Sequence, residues 1–199
     1  MRVKIGKTVL RINVSFAAVI TLMLILDSSG LCAVALFCCI VHEMGHIICL
    51  FILGEQPKSV ELSFYGIRLE RSEPSGLKKI EELAVYAAGP LMNVVLSAVL
   101  FLFSSIAPAT KTAAAISLCI AAFNMLPCVP LDGGNLVLNV FSMIKDDKKA
   151  EIIAFYISCI TLVPMISAGV IVLFKSGNLT LISVAVYLAV MRYFDKKSM

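Results

Sequence analysis

The segment LCAVALFCCIVHEMGHIICLFIL, residues 31–53, decides the fold class of this chain. It is a continuous apolar run, and about 20 apolar residues are enough for a helix that crosses a bilayer. Its one charged residue is Glu43, which stands between two histidines near the middle of the run. The segment therefore predicts a transmembrane helix with a polar motif at its centre, where ionisable residues are usually functional.

Similar apolar runs account for most of the chain. Of its 199 residues, 60% are hydrophobic and 15% are charged, whereas soluble domains have roughly 45–50% and about 25%. The composition excludes a soluble globular domain, a disordered chain and a nucleic-acid-binding module. It predicts an all-α polytopic membrane protein that forms a single domain over residues 1–199. The six predicted transmembrane helices are 12–26, 31–53, 83–103, 113–131, 152–174 and 179–193.

Basic residues alternate between the two sides of the predicted membrane. The N-terminal segment, the loops 54–82 and 132–151 and the C-terminal tail together hold 15 Lys and Arg, and the other connections hold two. Because cytoplasmic loops are enriched in Lys and Arg, both termini are expected to be cytoplasmic. The first helix is expected to stay uncleaved, although its basic start also resembles a signal peptide. Arg192 is expected to extend from the last span to the lipid headgroups.

The loop 54–82 contains a predicted small cytoplasmic β-hairpin. Apolar and polar residues alternate over 60–64 and 67–70, as they do in half-buried strands. Such a hairpin could bind an extended peptide substrate as an added strand. Alternatively, it only packs on lipid headgroups.

His42 and His46 are the two histidines of the chain, and both lie in the motif HEMGH over residues 42–46. Residues four apart on a helix lie on one face, so both imidazoles can reach a single Zn²⁺ ion. Glu43 lies on the adjoining face, where it can act as the general base on a water molecule. The alternative is a polar pair satisfied inside a helical bundle, which the position in mid-span disfavours.

A zinc site of this kind needs a third protein ligand beside one open position. Asp132 is the candidate because it follows Pro127 and Pro130, which must interrupt the fourth span and can create a cavity wall. Asp132 could instead cap the next helix, and Cys128 is a rival ligand. Cys49 lies too far from the first histidine along its helix. The seven cysteines show no disulfide or CxxC pattern and are interpreted as small apolar residues.

Two motifs together resemble those of the site-2 protease family of intramembrane zinc metalloproteases. They are HExxH over 42–46 in one span and NxxPxxxLDG over 124–133 in another. A third family-like stretch, GPLMN, covers 89–93 in the third span. Within it, Asn93 makes an interhelical hydrogen bond or takes part in substrate handling. The six-span layout is similar to the branch of stage IV sporulation protein FB, which processes a membrane-associated sigma factor precursor.

The resemblance implies a set of site residues. By this reasoning His42, His46 and Asp132 bind Zn²⁺, and Glu43 activates water. It also implies that Asn124 holds or polarises the reacting carbonyl group. The implied activity is that of a zinc metalloendopeptidase which cleaves a membrane-associated or transmembrane protein. The chain shows no PDZ-like insert or CBS domain, so regulation by nucleotides is not expected.

Two other functions compete with this hypothesis. A metal transporter could use the same His and Asp ligands, but it needs no glutamate between them. A non-catalytic protein that only binds membrane clients would not need Glu43 either. The substrate, a regulatory membrane partner and the oligomeric state are left open by the sequence.

Overall fold

The computed structural model describes residues 2–5, 8–55, 59–63, 66–70 and 76–197. Within these ranges the chain forms four strands and seven helices, and it divides into two compact units, residues 1–121 and 122–199. The strands are β1 (Arg2–Ile5), β2 (Thr8–Ile12), β3 (Ser59–Ser63) and β4 (Gly66–Glu70). The helices are α1 (Val14–Leu26), α2 (Leu31–Ile52), α3 (Lys79–Leu102), α4 (Ala109–Asn124), α5 (Asp132–Ile144), α6 (Asp147–Ser176) and α7 (Thr180–Lys197).

Three of the described helices, α2, α3 and α6, are long and apolar enough to cross a membrane. Shorter apolar helices cover Ala17–Leu26, Ala109–Asn124 and Thr180–Arg192. Many large apolar side chains on these helices are exposed; Phe174, for example, is 84% exposed. A soluble monomer rarely exposes so much apolar surface, whereas lipid tails cover it readily. The helices are therefore those of an integral membrane protein.

The fourth apolar stretch is shorter than the predicted span of 113–131. Helix α4 ends at Asn124, and residues 125–131 form turns before α5 begins at Asp132. Pro127 and Pro130 lie in this interruption. They prevent a continuous helix, because proline lacks a backbone donor and clashes with the preceding turn. The prediction of a loop over 132–151 was wrong, because most of that stretch belongs to α5 and to the first turn of α6.

The strands form one four-stranded sheet in the order β1-β2-β3-β4. The pairs β1–β2 and β3–β4 are antiparallel, and β2 runs parallel to β3. Strands β3 and β4 occupy the segment of the predicted hairpin, with Ser59 opposite Glu70 and Ser63 opposite Gly66; residues 64 and 65 lie outside the described part. No strand was predicted before the first span, so β1 and β2 correct that prediction. That the strands form a cytoplasmic insert stays a prediction.

In the first unit, small and polar residues join the helices. A Cβ atom at Gly45 of α2 would lie 2.6 Å from the carbonyl oxygen of Ala88, so this glycine allows α2 and α3 to approach closely. The hydroxyl of Ser117 in α4 donates a hydrogen bond of 2.9 Å to the backbone oxygen of Asn93 in α3. Such contacts hold helices together where lipid removes the hydrophobic driving force.

In the second unit, α6, α7 and the segment 125–131 pack around a small apolar core. Its buried members are Cys128, Leu162 and Leu188. Helix α7 approaches α6 closely at Gly169, where an added Cβ atom would lie 3.0 Å from the backbone of Ile182. The irregular segment 125–131 therefore contributes a residue to the core and does not form a loose loop.

Arg192 is buried in the second unit, with 6% of its surface exposed. Its guanidinium lies over the ring of Phe155, 5.6 Å from the ring centroid, and donates to the backbone oxygen of Glu151 at 3.5 Å. The prediction that Arg192 extends to the headgroups was wrong. A cation–π contact and a carbonyl acceptor together compensate part of the cost of burying the charge.

Candidate metal centre

His42 and His46 lie one turn apart on the buried face of α2, with 5% and 6% of their surfaces exposed. Their Nε2 atoms are 3.3 Å apart, and the two rings meet edge to face. Two ligands of a tetrahedral zinc ion, each bound at about 2.0–2.1 Å, are about 3.3–3.4 Å apart. The two nitrogens thus have the separation of neighbouring corners in a tetrahedral site.

A backbone carbonyl of α3 orients His46. The Nδ1 atom of His46 lies 2.7 Å from the backbone oxygen of Val85. Because a carbonyl oxygen only accepts hydrogen bonds, Nδ1 is the protonated nitrogen of the ring. In the neutral ring Nε2 then carries the lone pair that a metal needs, which is the usual arrangement of metal-binding histidines.

Gly89 of α3 keeps the space beside both imidazoles open. A Cβ atom at this position would lie 2.3 Å from Nε2 of His46 and 2.8 Å from Nε2 of His42. Even one methyl group would therefore occupy the volume in front of both nitrogen lone pairs. The donor types, their separation and this open cradle fit a zinc ion. No role at the metal was predicted for Gly89, although a glycine in the middle of an apolar span indicates a close approach of two helices.

Gly89→Ala is expected to lower the zinc content of the purified protein at least tenfold, since the methyl group must displace the imidazoles. Metal analysis of the two proteins checks this. Gly169→Ala is the matched control, because it also crowds a neighbouring helix but lies far from the histidines in sequence. Parental zinc content in Gly89→Ala would refute the role of Gly89 as the cradle.

Asp132 is the first residue of α5 in the second unit, and two glycines allow the preceding segment to pack closely against this helix. A Cβ atom at Gly133 would lie 2.2 Å from the backbone oxygen of Met125, and one at Gly134 would lie 2.2 Å from the backbone nitrogen of Val129. The absence of both Cβ atoms lets the irregular backbone pack directly on the first turn of α5. The aspartate is half-buried, and it occupies a helix N-terminus, where a negative charge is favoured.

The structure also places the other predicted site residues. Leu131, and not Asp132, occupies the N-cap of α5, so the alternative of Asp132 as the capping residue is wrong. Glu43 is half-buried on α2, and Asn124 is the last residue of α4. Cys128 is buried, and its Sγ lies 3.6 Å from the backbone oxygen of Val129. The structure thus brings the two histidines together within the first unit, while Asn124, Cys128 and Asp132 belong to the second.

Comparisons with known proteins find sequence similarity to a peptidase family model and to individual proteins. A family model described as Peptidase family M50 matches residues 104–165. A Synechocystis sp. protein, named as a candidate zinc metalloprotease, is 30% identical over 61% of this chain. Stage IV sporulation protein FB of Bacillus subtilis is 30% identical over 52% of this chain. The matches cover 34% and 37% of these two relatives, about a third of their lengths.

A solved structure has the same fold. The site-2 protease from Methanocaldococcus jannaschii matches with a TM-score of 0.70 and 23% sequence identity. The match covers 94% of this chain and 91% of the other. Similarity at this level of identity establishes the fold, while the chemistry has to be argued from the residues.

Proposed function

We propose that this chain is a member of peptidase family M50, the family of the site-2 proteases, and that it is an intramembrane zinc endopeptidase. Its substrate is a membrane-associated or transmembrane protein. The observation that carries the proposal is the pair of buried Nε2 atoms, 3.3 Å apart, beside Gly89. A structural pair of histidines would not need an open volume next to both lone pairs.

The proposed zinc ligands are His42, His46 and Asp132. Two neutral imidazoles and one carboxylate are donor groups that zinc binds in proteins. Three protein ligands leave one position for water or substrate, which is the arrangement of catalytic zinc sites. Asp132 is preferred to Cys128 because the cysteine is packed into the core of its own unit.

Bound zinc would acidify a water molecule and polarise the carbonyl of the scissile peptide bond. Glu43 takes the proton of this water as its oxygen adds to the carbonyl carbon. The same carboxyl group then gives the proton to the peptide nitrogen, and the carbon–nitrogen bond breaks. Asn124 donates a hydrogen bond from its amide to the carbonyl oxygen, where negative charge develops. The second proton of the water stays on the new carboxyl group and passes to the amine, so the products are a carboxylate and an ammonium group.

The substrate must be extended at the site so that its backbone can reach the reacting groups. Strand β4 lies at one edge of the four-stranded sheet, so a peptide can pair with it as a fifth strand. The proposed substrate class is a membrane-tethered regulator, such as a sigma factor precursor. Co-expression of the chain with candidate membrane-tethered transcription factors tests this proposal. A shortened product that depends on Glu43 supports it, and an intact panel of clients contradicts it.

We further propose six spans with both termini and the active site accessible from the cytoplasm. Reporter fusions at the C-terminal tail and within residues 54–82 are expected to report a cytoplasmic location. A fusion at Lys111, in the first turn of α4, is expected to report an external location. An external tail would remove the six-span arrangement, because an odd number of crossings would then separate the termini.

A further inference from the structure

A buried carboxamide in α3 has no described partner. Asn93 is 0% exposed, and neither its Nδ2 nor its Oδ1 atom has a hydrogen-bond partner among the residues that the structure describes. Native proteins satisfy nearly all buried polar groups, so each exception calls for an explanation. The backbone oxygen of Asn93 already joins α3 to α4 through Ser117, and this contact does not use the carboxamide.

The position of Asn93 relates it to the metal centre. On α3, Val85 contacts His46, and Gly89 faces both imidazoles one turn later. Asn93 follows one further turn along the same buried face of the helix, about 6 Å beyond Gly89. Side chains on a helix lean towards its N-terminus. In α2 the ring of His42 therefore points along the helix in the direction away from His46. The ring of His42 is thus the one nearer to Asn93.

Polar side chains from two other helices meet near Asn93. Cys38 of α2 is 0% exposed and precedes His42 by one turn. Its thiol is within hydrogen-bonding reach of the hydroxyl of Ser117. A small polar cluster of Cys38, Asn93 and Ser117 therefore lies about one turn from the first histidine.

We propose that Asn93 is a positioning residue for His42. Its Oδ1 accepts the Nδ1–H of His42 through one water molecule, a role that the backbone carbonyl of Val85 has directly for His46. Metal-binding histidines usually donate their second ring N–H to a fixed acceptor, which sets the tautomer and the ring orientation. Asn93 thereby keeps Nε2 of His42 unprotonated and turned towards Gly89. The inference rests on the proposed function only in assigning a metal to this nitrogen.

Nitrogen NMR of ¹⁵N-histidine-labelled protein tests the hydrogen bond without metal, because the chain has only two histidines. In metal-free parent protein, both rings are expected to be protonated at Nδ1. In Asn93→Leu, which keeps the volume but loses the acceptor, His42 is expected to shift towards the Nε2–H tautomer while His46 stays unchanged. A His46→Gln sample assigns the two rings. Unchanged signals of His42 in Asn93→Leu would overturn the proposal.

Zinc affinity, measured by competition with a chelator, provides a second readout. Asn93→Leu is expected to weaken zinc binding about 10–100-fold, whereas Asn93→Asp keeps an acceptor and retains the affinity. Ser97→Ala is the control, because it removes a buried hydrogen bond from Ser97 to Ala114, one turn further along α3, and is expected to leave zinc binding unchanged. Equal losses in Asn93→Leu and Ser97→Ala would indicate a merely structural role and contradict the proposal.

The two experiments separate this inference from the proposed function. If the parent protein binds no zinc, the proposed function fails, and the tautomer of His42 still decides the role of Asn93. If Asn93→Leu does not fold, Asn93→Asp replaces it. The stronger carboxylate acceptor is then expected to move the Nδ1 signal of His42 and leave His46 unchanged, and the absence of this change would contradict the proposal.

Discussion

Glu43→Gln is expected to abolish proteolysis and leave zinc bound. Glutamine has nearly the same shape as glutamate, but its amide cannot accept the proton of the attacking water. A positioned general base contributes about 10²–10⁴-fold to a rate, so product formation should fall at least by such a factor. The metal should stay, because Glu43 is offset from the face of α2 that carries the two histidines. Product analysis after co-expression and zinc analysis of the purified variant measure the two effects.

Glu82→Gln is a matched control for this substitution. Glu82 lies in the first turn of α3, where the helix N-terminus favours an acidic residue, and it belongs to no proposed catalytic group. It is expected to keep both cleavage and zinc. Activity in Glu43→Gln would refute the proposed base, and loss of its zinc would make Glu43 a ligand. A metal transporter would be little affected by Glu43→Gln, so the two functions are separated by the same variant.

The histidine pair could be predicted from the sequence because its geometry is local. A spacing of four residues in a long apolar helix is enough to place two imidazoles on one face. The resemblance to site-2 proteases, drawn from two short motifs, is confirmed by the family and fold matches. The groups that orient and enclose the pair were not predicted. Val85 and Gly89 act at the histidines only because α3 packs against α2, and no short-range pattern encodes that contact.

Other differences also arise from non-local contacts. Strand β2 pairs in parallel with β3, which lies almost fifty residues further along the chain, so its partner cannot be identified from the N-terminal segment alone. Arg192 is buried because α6 presents a ring and a carbonyl oxygen to it. In both cases a partner that is distant in the sequence determines the environment of the residues.

The number of membrane crossings cannot be decided by helix length. Helix α4 has 16 residues and is about 24 Å long, whereas the hydrocarbon core of a bilayer is about 30 Å thick. Helix α1 has 13 residues and is shorter still. Short spans are tolerated if the bilayer thins or flanking residues extend to the interface. The distribution of Lys and Arg therefore carries the proposal of six spans.

Asp132→Asn is expected to lower both zinc content and proteolysis, by about a hundredfold or more for the reaction. The amide of asparagine is neutral and a much weaker ligand for zinc than a carboxylate. With two imidazoles left, the ion would be held by too few ligands to resist dialysis. Helix α5 should still form, because Leu131 and not Asp132 is its N-cap residue. Metal analysis of the purified variant, with a stoichiometry near one in the parent, measures the loss.

Cys128→Ala decides between the two candidate ligands. Cys128 is packed with Leu162 and Leu188, so its truncation should cost some stability and leave zinc and cleavage nearly unchanged. If cysteine were the third ligand, the order would be reversed, and Cys128→Ala would lose the metal while Asp132→Asn kept it. Retained zinc and activity in Asp132→Asn would therefore exclude the aspartate. The histidine pair would then keep its tetrahedral spacing, and its third ligand would have to come from another residue.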